Sequence, residues 1–264
     1  MKRSNIPFRS ISTAVSLAAL LALAATPGHA QWLNHRTPGI PRTADGKADL
    51  SAPAPRTPDG KADITGLWIT DGIYVANIAK DLKPGSVPYQ PWAEALYKQR
   101  RATESKDDPT GYCIPGGVPR SDVVPYPLKI LNLPGEMLVL YEAVHSYRQI
   151  FTDGRELPKD PNPTWMGYSI GHWDGDAMVV ETAGFNDHGW LDNNGLPGTD
   201  ALHVTERFRR KDFGHLEIQV TIDDAKAYAK PWTVTIPYVL LPDTELIEYI
   251  CDENNKDVQH LVGK

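Results

Sequence analysis

The sequence predicts a mainly β protein whose strands form an antiparallel up-and-down barrel. Short β-rich runs begin near Pro127 and follow one another at regular spacing toward the end of the chain. Pro-Gly, Asp-Gly and Phe-Gly turn signals separate them, which is typical of an antiparallel meander. About nine such strands close most simply into a barrel, because closure removes exposed strand edges. A sandwich of two sheets is the alternative.

The first thirty residues have the layout of a secretory signal peptide. MKRSNIPFRS carries three positive charges, the apolar run ISTAVSLAALLALAAT follows, and small residues at Gly28 and Ala30 favour cleavage after Ala30. The apolar run is shorter than the roughly 20 residues that a comfortable membrane span needs. An uncleaved N-terminal anchor is the alternative. We therefore expect a periplasmic or secreted protein that is free of the membrane after cleavage.

Residues 31–65 predict an irregular Pro/Gly-rich extension before a barrel domain at 66–264. The extension contains a repeat, PRTADGKADL at 41–50 and PRTPDGKADI at 55–64, whose two copies are too few for a solenoid. Its turn-forming residues favour extended chain on the surface. One short helix is expected near 91–104, where Pro stands at the start and strong helix formers follow.

The composition restricts the partners. The chain has 27 basic and 33 acidic residues and a net charge of -6, without Lys/Arg tracts, which argues against nucleic acid as a partner. No P-loop, GxSxG or GxGxxG stands in a strand-to-helix context, and no metal-binding motif supports His188 and Asp192 as ligands. We therefore expect a small organic molecule as partner, with no cofactor and no metal, and the oligomeric state stays open.

Cys113 and Cys251 are the two cysteines of the chain. An oxidising compartment favours a disulfide between them. Closing so long a loop stabilises the fold by about 4 kcal/mol in the chain-entropy description. Two separate buried thiols are the alternative.

The stretch HWDGDAMVVETAGFND, residues His172 to Asp187, predicts a hairpin. Asp174-Gly175 favours a two-residue type I′ turn, which places Trp173 opposite Asp176 and accounts for the two aspartates as turn residues. One face then carries Tyr168, Ile170, His172, Ala177, Val179 and Glu181. The other face carries Ser169, Gly171, Trp173, Met178, Val180 and Thr182. The pattern leaves open which face points inward.

The next hairpin has one clearly apolar face. One parity carries, in order, Leu202, Val204, Glu206, Phe208, Leu216, Ile218, Val220 and Ile222. This face is expected inside the barrel, so Glu206 is an acid on an apolar inward stripe. A buried lone carboxylate needs a partner or a raised pKa, which makes Glu206 a candidate site residue. A structural ion pair with Arg148 is an equally weighted alternative.

The candidate catalytic residues are Glu206, Glu181, His172 and Tyr168. They converge in the lumen if the Tyr168 face of the first hairpin is the inner one, and two carboxylates in different surroundings can divide acid and base roles. The candidate ligand-binding residues are Arg148, Phe208 and Trp190. Trp190 belongs to a long connection at 184–200, which suits a lid over the barrel mouth.

Several stretches together resemble a family of exported bacterial proteins of uncharacterised activity. They are DGKADITGLW, CIPGGVPR, the run from FTDGRELPKD to GWLDNNG, the run from ALHVTERFRR to KPWTV, and LLPDTELIEYICDENNKD. The resemblance covers most of the mature chain. It implies export and a lipocalin-like β-barrel, and it brings no catalytic assignment.

Two functions are expected from these features. The first is an exported enzyme that uses cofactor-independent acid/base chemistry in the barrel lumen, of the lyase, hydratase or isomerase type, with Glu206 or Glu181 taking a proton and His172 or Tyr168 donating one. The second is a periplasmic carrier or sensor of a small apolar or aromatic ligand. An envelope protein whose N-terminal arm binds a partner is a third reading.

Overall fold

The computed structural model describes residues 35–251 and residue 253. The chain divides into two units, Met1–His35 and Arg36–Lys264. The predicted signal peptide at 1–30 lies outside the described residues. The second unit contains the whole barrel.

Nine strands form a closed barrel in chain order, which confirms the predicted fold class. Each pairs with the next along the chain, and the ninth pairs with the first. The strands are β1 Gly66–Thr70, β2 Leu128–Leu133, β3 Glu136–Tyr141, β4 Tyr147–Phe151, β5 Tyr168–Asp174, β6 Ala177–Ala183, β7 His203–Arg210, β8 His215–Asp223 and β9 Trp232–Leu240.

One contact of the barrel departs from the antiparallel pattern. β4 and β5 run parallel and pair at only two positions, Ile150 with Ser169 and Phe151 with Ile170. A closed ring needs an even number of antiparallel contacts, because each one reverses the strand direction. Nine strands therefore require at least one parallel contact, and the long connection at 152–167 returns the chain to the same end of the barrel.

Helical structure within residues 35–251 is short. It comprises α1 Ile73–Ala76, α2 Pro91–Ala102, and the 3₁₀ turns Pro109–Tyr112, Arg120–Val123 and Ala143–His145. α2 is the helix that the sequence predicts: Pro91 occupies its first turn, where no backbone N–H is needed, and Lys98 pairs with Glu94 one turn earlier at 2.6 Å. Within the described part of the chain, no helix combines the length and the apolar character that a membrane crossing requires.

Side chains fill the lumen of the barrel. The predicted inward stripe of β7 and β8 is buried throughout, and Phe208, Ile218 and Val220 are at most 1% exposed. Inward residues of β2, β3 and β9 complete this core, and burial of each large apolar side chain contributes about 1.5–3 kcal/mol. The centre of the barrel is therefore a packed core.

The N-terminal arm, residues 36–65, closes one end of the barrel. Each repeat copy folds into the same turn: Gly46 N–H donates to Thr43 O and Gly60 N–H donates to Thr57 O, both at 2.9 Å. The equivalent arginines then bind different carboxylates: Arg42 binds Asp243 and Arg56 binds Asp176. An ion pair from each copy thus holds the arm, to the segment after β9 through Asp243 and to the turn between β5 and β6 through Asp176.

The C-terminal strap, residues 241–251, runs along β1 and β2 from the arm end to the opposite end, which we call the mouth. Leu241 N–H donates to Leu67 O at 2.8 Å near the arm end. Cys251 forms the predicted disulfide with Cys113, with Cα atoms 5.7 Å apart, at the mouth. The disulfide therefore fixes the far end of the strap.

Candidate functional site

The β5–β6 hairpin has a different register from the predicted one. Asp174 pairs with Ala177, so Gly175 and Asp176 form the two-residue turn, and Trp173 lies opposite Met178 instead of Asp176. Gly175 has a φ of +60°, which glycine adopts without strain. Because the partner changes by two residues, and side chains alternate with period two, each face keeps its predicted members.

The Tyr168 face of this hairpin points away from the lumen. Thr182 and Val180 pair with Val204 and Glu206 of β7 on the inward side, and they are fully buried. Ser169 lies on the same side and is buried too.

The predicted quartet is therefore not assembled in one place. His172 is exposed, Glu181 lies 3.5 Å from His203 Nε2, and the Tyr168 hydroxyl accepts a hydrogen bond from Arg155 Nη1 at 3.0 Å. These contacts are all on the outside of the barrel, whereas Glu206 is inside. The geometry gives Tyr168, His172 and Glu181 no shared site with Glu206.

Glu206 forms a buried ion pair with Arg148, as the structural alternative predicts. The Arg148 side chain is 2% exposed and that of Glu206 is 0% exposed. Arg148 Nη2 donates to Glu206 Oε2 and also to Thr182 Oγ1 at 2.6 Å, while Nε donates to Ser169 Oγ at 3.0 Å. The arginine thus links β4, β5, β6 and β7 inside the barrel.

A second acid, Asp122, faces the same arginine. The 3₁₀ turn Arg120–Val123 places Asp122 Oδ2 3.8 Å from Arg148 Nη1. The Tyr141 hydroxyl donates to Asp122 Oδ1 at 2.6 Å, and the Tyr238 hydroxyl donates to Asp122 O at 2.7 Å. We call these linked residues the inner cluster; they are Asp122, Tyr141, Arg148, Ser169, Thr182 and Glu206.

The sequence reasoning missed Asp122 and Tyr141. Tyr141 does carry a signal, because it continues the inward parity of Met137 and Val139 on β3. Asp122 carries none, since it lies in an irregular turn where no periodicity reveals its direction.

The inner cluster contains two acids and one base. Asp122 Oδ2, Arg148 Nη1 and Glu206 Oε1 are buried and have no hydrogen-bond partner within the described residues. Burial raises the pKa of Asp122 to about 7; the charge of Glu206 raises it as well, and Arg148 opposes both. Two acids facing one base thus favour the protonated form of Asp122.

A cavity of about 300 Å³ opens at the mouth of the barrel, and we call it the mouth cavity. Its wall includes the rings of Tyr126, Tyr141 and Tyr249 together with Val75, Val124 and Ala143. The ring centroids of Tyr126 and Tyr249 are 5.1 Å apart. Cys251 also lines the cavity, so the disulfide holds this part of the strap in the wall.

The polar wall of the mouth cavity is electrically balanced. Arg120 lines it and forms two hydrogen bonds with Asp108, at 2.8 Å from Nη1 and 2.5 Å from Nη2. Arg120 Nη2 also donates to Asn193 Oδ1, and Ser121 is a further polar lining residue. The wall thus offers few polar groups and no unpaired charge on Arg120.

The three predicted ligand-binding residues lie outside the wall of the mouth cavity. Phe208 is in the packed barrel core, and Arg148 belongs to the inner cluster. Trp190 is buried under Arg100, whose guanidinium carbon lies 4.2 Å from the ring centroid. Trp190 therefore anchors the 184–200 connection and is not an open lid residue.

The same connection contains Asp192, which the structure uses as a backbone anchor. Its carboxylate accepts hydrogen bonds from Ile78 N and Leu196 N, both at 3.2 Å. Burial raises the pKa of Asp192 to about 6. Across residues 35–251 and 253, no group of three or more His, Cys, Asp or Glu side chains is arranged to hold a metal ion.

Comparisons with family models, with curated proteins and with solved structures each give no match for this chain. The function is therefore inferred from the mouth cavity and the inner cluster alone.

Proposed function

We propose that the protein is a carrier or sensor that binds a small, mainly apolar aromatic molecule in the mouth cavity. The observation that carries this proposal is the cavity itself, about 300 Å³ and walled by three tyrosine rings and aliphatic side chains. Small-molecule sites have this size and character, with a few polar groups that orient the ligand. The packed lumen supports the mouth, and not the barrel centre, as the place of binding.

The ligand of this proposal is uncharged. Arg120 already has its charge matched by Asp108 at 2.8 and 2.5 Å, so an anion gains little at this wall. Ser121 and Asn193 supply the polar contacts that orient the ligand. Stacking on Tyr126 or Tyr249 favours an aromatic ring, because offset and edge-to-face ring pairs contribute about 0.5–1.5 kcal/mol beyond area burial.

The proposal places the protein outside the cytoplasm, in the periplasm or the medium. The Cys113–Cys251 disulfide supports this placement, because such bonds persist in oxidising compartments. The N-terminal sequence pattern of residues 1–30 points the same way.

A second candidate function is a cofactor-independent lyase, hydratase or isomerase at the same cavity. The observation that favours it is the hydrogen bond of 2.6 Å from Tyr141, a wall residue, to Asp122. With its pKa raised by burial to about 7, Asp122 can exchange a proton near neutral pH. In this scheme Tyr141 contacts the substrate and Asp122 accepts or returns the proton, with Arg148 and Glu206 holding Asp122 in place.

The binding proposal is tested with N-phenyl-1-naphthylamine, a neutral aromatic probe whose fluorescence rises in apolar surroundings. We expect saturable binding by the wild-type protein. Val124→Trp places a large ring in the cavity wall and should weaken binding at least tenfold. Val239→Trp adds the same ring at an exposed position of β9 and should leave binding unchanged. Equal affinity of Val124→Trp and the wild type, or no saturable binding, would contradict the proposal.

The enzymatic candidate is separated from the carrier by Asp122→Asn. An enzyme should lose turnover of any substrate found by screening while the probe still binds. A carrier should show no turnover in the wild type across the screen, and Asp122→Asn should change only affinity. Loss of both probe binding and the folded near-ultraviolet spectrum in this variant would exclude it as a test, and Tyr141→Phe then serves in its place.

A further inference from the structure

A second cavity, of about 290 Å³, lies at the arm end of the barrel, opposite the mouth. We call it the arm cavity. The N-terminal arm forms one side of it, with Pro38, Ile40 and Pro55 among the lining residues, and Leu67 and Leu240 line it from the barrel. The cavity therefore combines a mainly apolar wall with closure by the arm.

Arg210, at the end of β7, is the polar residue of interest in this wall. Arg210 is 7% exposed, and its guanidinium lies 4.9 Å from the ring centroids of both Trp68 and Phe213. Its donors go to backbone carbonyls: Nη1 to Asp63 O at 2.7 Å, and Nε to Phe213 O at 3.1 Å. Further bonds of Arg210 reach Thr65 O and Asp212 O, both at 3.2 Å, and Nη2 reaches Phe213 O.

After these bonds, Arg210 still has a positive charge without an ion-pair partner in the described residues and one N–H donor without an acceptor. A guanidinium carries five N–H donors. Nη2 has one acceptor within the described residues, Phe213 O, so one of its two N–H groups is available. All the acceptors are neutral carbonyls. Within residues 35–251 and 253, no carboxylate oxygen lies within 4 Å of Arg210 in an ion pair.

The other buried arginines are different in this respect. Arg120 pairs with Asp108 and Arg148 pairs with Glu206. Buried charges in proteins are normally paired, so Arg210 is the exception among the three. Burial lowers the pKa of Arg210 to about 10, although the more distant carboxylates of Asp63 and Asp212 act in the opposite direction. The positive charge is therefore only partly compensated.

Two of the other charged groups at the arm cavity pair with each other, and the third, Asp63, is hydrogen-bonded to a neighbouring threonine. Lys129 Nζ binds Glu245 Oε2 at 2.7 Å. Asp63 Oδ1 accepts hydrogen bonds from Thr65 N at 2.9 Å and from Thr65 Oγ1 at 2.7 Å. A ligand with one negative charge thus meets the under-compensated Arg210 cation in a mainly apolar wall, where Asp63 is the anion that its carboxylate has to avoid.

We infer that the arm cavity binds a small organic monocarboxylate, with its carboxylate against the Arg210 guanidinium and its apolar part against Leu67 and Leu240. Arginine suits this role because carboxylates accept strong charge-assisted hydrogen bonds from its N–H groups. The site is independent of the mouth cavity, whose arginine is already matched by Asp108. The two ends of the barrel are then selective for ligands of different charge.

The test compares benzoate with its neutral counterpart benzamide by titration calorimetry at constant ionic strength. We expect benzoate to bind the wild-type protein at least tenfold more tightly than benzamide. Side-chain ¹⁵N spectra of arginine-labelled protein should show the Arg210 Nε signal moving with benzoate concentration. The aromatic signals of Tyr126 and Tyr249 at the mouth should stay unchanged.

Three variants localise the site. Arg210→Met should weaken benzoate binding at least tenfold. Arg209→Met removes the same charge from the adjacent, exposed position on the opposite face of β7, and should have less than a twofold effect. Thr244→Trp places a ring in the arm cavity while Arg210 itself is kept. This variant should also block binding, which keeps the test valid if Arg210→Met fails to fold.

The inference is overturned by any of three results. Benzoate and benzamide could bind equally well, Thr244→Trp could bind benzoate like the wild type, or benzoate could move only the mouth tyrosines. Failure of benzoate with continued binding of N-phenyl-1-naphthylamine would overturn this site alone, and the reverse result would overturn the mouth cavity alone.

Discussion

Tyr141 donates a hydrogen bond of 2.6 Å to Asp122, and this contact joins the wall of the mouth cavity to the buried charges of the barrel. Asp122 in turn lies 3.8 Å from Arg148, which holds Glu206. A change in the protonation of Asp122 therefore alters the hydrogen bond of Tyr141, a side chain in the cavity wall. Under the proposed function, this contact connects the inner cluster, which is closed to solvent, to ligand binding in the mouth cavity.

The first prediction concerns the pH dependence of stability. Burial raises the pKa of Asp122 from 3.8 to about 7, so the folded state binds a proton that the unfolded state releases. The resulting stabilisation is complete below pH 3.8 and is lost as the pH rises to about 7. The total loss in the free energy of unfolding is at most about 4 kcal/mol for this group. Asp122→Asn should remove this loss, so its stability relative to the wild type should increase with pH over that interval.

Urea unfolding of the disulfide-bonded protein at several pH values measures the difference. Asp187→Asn, at an exposed position, is the matched control and should run parallel to the wild type. A constant difference between Asp122→Asn and the wild type across the interval would show that Asp122 does not hold the proton.

The second prediction concerns the ion pair of Arg148 and Glu206. Arg148→Met leaves two buried acids without a base and should destabilise the fold by about 3–5 kcal/mol. Glu206→Gln leaves one base, Arg148, facing one acid, Asp122. This variant should therefore lose less stability than Arg148→Met. Unfolding free energies of both variants and of the double variant check this order.

The double variant makes the second prediction stringent. Once Arg148 is removed, replacing Glu206 as well eliminates one of the two uncompensated acids. The double variant should therefore be more stable than Arg148→Met alone. If the two losses simply add, the side chains do not interact as the structure indicates.

The third prediction concerns the disulfide. Cys113 and Cys251 are separated by 138 residues, and opening a loop of this size removes about 4–5 kcal/mol of stabilisation in the chain-entropy description. Cys113→Ser with Cys251→Ser should lower the melting temperature. It should also weaken binding of N-phenyl-1-naphthylamine, because the strap that holds Tyr249 in the cavity wall is released. Chemical reduction of the wild type should reproduce both effects, and retained probe affinity would exclude the strap from the binding site.

Much of the fold could be predicted because alternation along a strand is a local property. The stripe from Leu202 to Phe208 alternates so regularly that its inward face, including Glu206, is readable without a structure. The parallel contact of β4 and β5 was not readable, because the path of the connection at 152–167 decides which two neighbouring strands run parallel. The hairpin register was also ambiguous, since Asp174, Gly175 and Asp176 allow two neighbouring turn pairs.

Less of the candidate site could be predicted, because segments far apart in the sequence build it. The mouth cavity takes Tyr126 from before β2, Tyr141 from β3 and Tyr249 from the strap. No spacing rule connects such positions. The surroundings of Arg210 could not be predicted either. The alternation of β7 indicates that Arg210 points inward, but a sequence cannot show that it meets carbonyls of the arm.

The last prediction concerns the two repeat copies, which offer a matched pair of arginines. Arg42 and Arg56 occupy equivalent positions, and each forms two hydrogen bonds with one carboxylate. The side chains of Arg42 and Asp243 are 20% and 26% exposed, whereas those of Arg56 and Asp176 are 53% and 56% exposed. Water screens the second pair more strongly, and exposed pairs contribute little.

Arg42→Ala should therefore lower the free energy of unfolding several times more than Arg56→Ala does. Limited proteolysis should cut the arm of Arg42→Ala several times faster than that of Arg56→Ala, because Arg42 holds the first half of the arm to Asp243. Since the same arm forms one side of the arm cavity, Arg42→Ala should also weaken benzoate binding. Equal effects of the two variants would mean that side-chain burial does not decide how firmly each copy is attached.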